Sequence, residues 1–73
     1  MSGEFSRVPP HSIEAEESVL GAVLLDNEAF DRVADKIAAE DFYVERHARI
    51  FAAMGLLAEQ ALPMDAVTVA ERL

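Results

Sequence analysis

Apolar residues recur along this chain at helical spacing, and no run alternates in the way a half-buried strand would. The longest and cleanest stripe, His47, Ile50, Phe51, Met54, Leu57 and Ala58, predicts a helix over 44–60. Phe30, Val33, Ala34 and Ile37 repeat the i, i+3, i+4, i+7 pattern and predict a shorter helix over 28–38. A first helix is predicted over 12–25, where Ile13, Leu20 and Leu24 share a face that Val19, Ala22 and Val23 widen. Its start is marked by Pro9-Pro10-His11-Ser12. Proline holds the preceding backbone extended, Ser12 can accept from free N–H groups, and Glu14, Glu16 and Glu17 suit the positive end of the helix dipole.

Between these elements the polarity changes. Asp26-Asn27 breaks the first pattern, and either residue can cap the second helix. Residues 39–43 form a connector in which Phe42 is the apolar anchor and Tyr43 keeps its hydroxyl at the surface. The run 61–65 ends the third helix, and Asp65 caps a fourth that carries Val69 and Leu73 on one side. Gly21 sits inside the first helix, where glycine costs about 1 kcal/mol against alanine, and so predicts a close helix crossing.

The fold expected from this pattern is all-α, a small orthogonal bundle of about four helices over 12–73 behind a flexible leader over 1–11. Its core is expected to hold Leu20, Leu24, Phe30, Ile37, Phe42, Ile50, Phe51, Met54 and Leu57. The fourth helix reaches Leu73 with no stop signal, so the bundle reads as truncated at its C-terminal end, a piece of a longer protein. Val69 and Leu73 are then apolar residues at an open edge and the candidates for partner contact.

Composition narrows the function. A chain of 73 residues holds one small domain, and the absence of cysteine removes disulfides and thiolate metal sites as sources of stability. Fourteen acidic residues against six basic ones give a net charge of −8, which opposes direct, tight binding of nucleic acid and favours protein partners. No apolar run near the N-terminus resembles a signal peptide and none is long enough to span a membrane, so the expected location is the cytoplasm. His47 lies on an apolar stripe and reads as core edge with a local hydrogen bond, while His11 lies at the helix entry. Glu14, Glu16 and Glu17 are explained by the helix dipole without a metal. There is no phosphate-binding glycine loop and no credible Ser–His pair. Catalytic, cofactor and metal residues are expected to be none.

The order and spacing of several motifs together resemble the N-terminal domain of bacterial replicative DNA helicases, the DnaB family. They are Pro9-Pro10-His11-Ser12 with Glu14-Ala15-Glu16 and Ser18-Val19-Leu20-Gly21; Leu24-Leu25-Asp26-Asn27; Asp41-Phe42-Tyr43; His47 with Ile50-Phe51, Met54 and Leu57; and Pro63-Met64-Asp65 with Val67-Thr68. Two departures stand out. Glu17 replaces a usual glutamine, and Ala61-Leu62 occupies a turn that generally holds glycine, which leaves the third-to-fourth helix geometry open.

The resemblance implies a non-catalytic assembly and interaction domain of a ring helicase. It implies a collar built as a trimer of dimers with other helicase subunits, docking of the primase C-terminal domain, and contact with a helicase loader. ATP and magnesium are implied only for a C-terminal RecA-like ATPase domain outside this chain, and a dimer-building helical hairpin is implied beyond Leu73. The residues alone leave a different class open, a stand-alone acidic helical adaptor or dimerisation module.

Overall fold

The computed structural model describes residues 12–73, so the leader expected over 1–11 and His11 lie outside the described residues. The elements are α1 (Ile13–Leu25), α2 (Ala29–Ala34), a 3-10 turn (Ala39–Asp41), α3 (Glu45–Glu59) and α4 (Ala66–Glu71). No strand occurs among the described residues, and the fold is all-α. α3 is the central element, packed against α1, the 3-10 turn and α4, while α2 lies on α1.

α1 starts as expected, with Ser12 Oγ accepting the Ala15 N–H at 3.1 Å. Its inward face keeps Leu20, Val23 and Val19 of the predicted face but turns Ile13 and Leu24 away from the core. Leu20 and Val23 are buried, Glu16 and Val19 are half-buried, and the half-buried Asn27 continues the same three-and-four spacing past the helix end. Ile13 is 52% exposed and Leu24, expected in the core, is 38% exposed. The reason is that Glu16 and Asn27 carry long-range hydrogen bonds, so two polar residues fix the face that turns inward and rotate Leu24 off it. Gly21 supports no close crossing either, since a Cβ built there meets nothing within 4 Å.

α2 is shorter than its stripe. The N–H groups of Lys36 and Ile37 both donate to the Val33 carbonyl, at 2.9 and 3.0 Å, which closes the helix early. Ala38 is then extended (φ −120, ψ 169), and Asp41 Oδ2 accepts the Ala38 N–H at 2.8 Å to hold the 3-10 turn. Ile37 still packs half-buried against the core from outside the helix. Phe51 of α3 gathers the aromatic centre, with ring centroids 5.1 Å from Phe30 and 5.2 Å from Phe42, both tilted. Met54, Leu57 and Val23 are the most completely enclosed large side chains, each contributing roughly 1.5–3 kcal/mol through burial. Ile50 is half-buried, while Ala53, Met64 and Val69 join the core without having been expected there.

Asn27 ties the two ends of the bundle. Its Oδ1 accepts the Met64 N–H at 2.8 Å, and its Nδ2 donates to the carbonyls of Met64 (3.0 Å) and Val23 (2.8 Å). One amide thereby satisfies the C-terminal end of α1 and pins the loop before α4. Asp65 caps α4 as predicted: its Oδ1 accepts from Val67 and Thr68, and Thr68 Oγ1 accepts the Asp65 N–H in return.

The α3 to α4 turn resolves the geometry that the missing glycine left open. Leu62 N–H donates to the Leu57 carbonyl and Ala61 N–H to the Ala58 carbonyl, a Schellman closure, and Ala61 takes the left-handed conformation at φ 56. Alanine there carries a cost of about 1–2 kcal/mol. Glycine and alanine thus stand at each other's best positions. Ala61→Gly should raise stability by about 0.5–1 kcal/mol, the relieved strain less the entropy of glycine. Gly21→Ala should add about 1 kcal/mol because the space is open. Thermal unfolding of the two single variants measures both, and a lowered melting temperature in either contradicts the local geometry.

Candidate partner-binding surface

Glu16 is the one acidic residue of α1 that turns inward, while Glu14 and Glu17 stay exposed. Its carboxylate reaches the N-terminus of α3, where Oε2 accepts the Tyr43 N–H at 2.6 Å and Oε1 accepts the Val44 N–H at 3.3 Å. Oε1 also lies 2.8 Å from Nδ1 of His47, in the first turn of α3. A carboxylate can only accept, so Nδ1 carries the proton in this contact. The dipole complementarity read for Glu16 therefore acts on α3 and not on its own helix. His47 is buried as expected, yet its partner is 31 residues away and not local.

Burial pushes the Glu16 carboxyl up, but the N–H of Tyr43, the side chain of His47, the N–H of Val44 and the charge of His47 together outweigh it. The net value lies below the ordinary 4.5. This arrangement is a positioning device. Its carboxylate is fully engaged by its own chain, and no set of three His, Asp or Glu side chains converges on a common point among the described residues.

The remaining surface divides into charge and isolated apolar groups. Arg49 pairs with Glu45 at 2.9 Å across one helical turn, and Arg72 donates to Gln60 at 2.6 Å. Of the two residues predicted for partner contact, Leu73 is exposed (64%) but Val69 is buried at 5% in the core. Val69 fails as a surface residue because the Asp65 cap and the packing of α4 on α3 turn it inward. Among the described residues Leu25, at the end of α1, is the most exposed large apolar residue at 91%, and Leu56, Leu62 and Val67 are exposed as well. Leu25 lies off the stripe that the fold buries, but it sits in an apolar run that does not single it out in the sequence. A separate groove is lined by Val19, Arg32, Val33, Lys36 and Ile37. Among the described residues no helix is long and apolar enough to cross a membrane.

Comparison with known proteins gives one consistent answer. The profile of the DnaB-like helicase N terminal domain family matches residues 8–73. The replicative DNA helicase DnaB of Geobacillus stearothermophilus is 49% identical over 74 aligned residues, covering 100% of this chain and 16% of its own length. That of Buchnera aphidicola (strain APS) is 45% identical over 67, covering 92% of this chain and 15% of its own. The crystal structure of the N-terminal domain of DnaB helicase from Mycobacterium tuberculosis superposes with a TM-score of 0.83 at 40% identity, covering 89% of this chain and 45% of that one.

The depressed Glu16 value sets a pH dependence. The charged form is favoured by folding, so its contribution is complete above the unfolded value near 4.5 and is lost as pH falls through 4.5 and then through the lower folded value. Glu16→Gln leaves one of its three donors, the Tyr43 N–H, the Val44 N–H or His47 Nδ1–H, facing an amide NH2, and should cost about 2 kcal/mol near neutral pH. Urea unfolding at several pH values tests this: the parent should weaken below about pH 4.5 more steeply than the variant. Parallel curves would remove Glu16 from the account.

Proposed function

The chain belongs to the DnaB-like helicase N-terminal domain family, and we propose that it serves as a non-catalytic assembly and docking domain of a replicative helicase. What carries this reading is identity of 49% and 45% to replicative DNA helicases over nearly the whole chain, with the same fold at a TM-score of 0.83. The chain spans 16% and 15% of the length of those relatives, so most of a helicase of that size lies in other segments. The identity to replicative helicases over nearly the whole chain favours a helicase head over a free-standing adaptor.

In this reading, ATP hydrolysis, with its magnesium, belongs to a separate ATPase domain of the same cytoplasmic enzyme. The present chain builds a collar with other subunits and receives the primase C-terminal domain, coupling priming to unwinding, with a helicase loader as a further partner. The physical support is the division of labour on its surface. The polar groups at the end of α1 and the start of α3 are spent on holding the fold, whereas Leu25, Leu56, Val67 and Leu73 are left to meet neighbours. A net charge of −8 suits protein contact and opposes a grip on phosphates.

Deletion separates the roles. A helicase lacking residues 12–73 should keep ATP hydrolysis while losing saturable primase binding in calorimetry and changing its subunit number in sedimentation. Primase binding that survives the deletion undiminished overturns the proposal.

A further inference from the structure

We propose that the groove between α1 and the end of α2 docks a short amphipathic segment of another protein, one with an apolar ridge, a pair of flanking carboxylates and little other charge. The inference goes beyond the assembly role and does not depend on it. The groove is lined by Val19, Val33 and Ile37, which are half-buried with one side against the core, and by the exposed Arg32 and Lys36. Apolar walls at this spacing accept side chains at i, i+3 and i+4 of a helical ligand.

Charge selects the occupant. The chain carries −8 overall, and two of its cations are already engaged, Arg49 with Glu45 and Arg72 with Gln60. Arg32, Lys36 and Arg46 form no ion pair within the described residues, and two of the three, Arg32 and Lys36, stand together at this one groove. A polycation would be drawn to the acidic faces elsewhere, and a polyanion would be repelled by the domain as a whole. A ligand with only two carboxylates, one turn apart beside an apolar ridge, meets local attraction with little general repulsion.

The test is an NMR titration of the 15N-labelled chain with a synthetic helix-forming peptide bearing leucines at i, i+3, i+4 and i+7 and one glutamate on each flank. Saturable shifts at Val19, Val33 and Ile37 are expected, with affinity falling about tenfold in R32E/K36E and returning when the peptide's glutamates are replaced by lysines. Both altered side chains are exposed, so unchanged core resonances verify folding, and the milder R32Q/K36Q should fall between. The proposal is overturned by shifts scattered outside the groove, by equal binding of both peptides to the parent, or by no saturable shift. Movement of the same resonances on concentrating the chain alone also overturns it, because the occupant would then be a second copy.

Discussion

α3 begins at a residue that cannot cap it. Val44 offers no side-chain acceptor to the free N–H groups of the first turn, and a helix start left unsatisfied in a small bundle is costly. A carboxylate from α1 anchors the approach to the helix instead: Glu16 takes the N–H groups of Tyr43 and Val44, just ahead of α3, and the proton on Nδ1 of His47 in its first turn. Because α1, the 3-10 turn and α4 all pack on α3, fixing where α3 begins also fixes which of its residues face inward. A slip of one residue turns a helix by about 100° and would take Phe51, Met54 and Leu57 off the core together.

Asn27 supplies the matching constraint at the other end. It stands on the extension of the stripe that holds Glu16, Leu20 and Val23, and it fastens the backbone of Met64 through both its donor and its acceptor. The apolar residues between Glu16 and Asn27 provide most of the free energy, since hydrogen bonds contribute only about 0.5–1.5 kcal/mol net each. The polar ends supply direction. Apolar contact alone would tolerate several rotations of α1 against α3, and these hydrogen bonds permit one.

That arrangement explains what was legible in the sequence and what was not. Helix existence and type followed from periodicity, and the caps at Ser12 and Asp65 followed from local chemistry within a few residues. Leu20, Val23 and Val19 followed as well, but the exact rotation of α1 did not, because ranking positions by hydrophobicity promotes Leu24 and demotes Glu16, whereas their environments are the reverse. The partners of Glu16 and Asn27 lie 27 to 37 residues away, beyond the reach of any local pattern. Val69 was misplaced for a related reason. Its helix looked unfinished from the sequence, yet six residues with a reciprocal cap suffice to seat one valine in the core. The partner surface was the least legible, since exposed apolar residues such as Leu25 and Val67 carry no spacing that separates them from core candidates until the fold turns them outward.

The distribution of charge fits the proposed docking role. Burying a carboxylate without partners would cost more than this core could offset, so the one acidic residue of α1 that faces inward arrives with every acceptor position of use to α3 filled. The exposed carboxylates carry no such obligation and set the exterior potential. An exterior of this sign repels a phosphate backbone, which is what the proposed docking role requires of the apolar edges and the cation-flanked groove. Members of one residue class thus act in two ways: the inward carboxylate fixes the helices, and the outward ones set a negative exterior that, on the proposed docking role, disfavours nucleic acid and leaves the apolar edges to proteins.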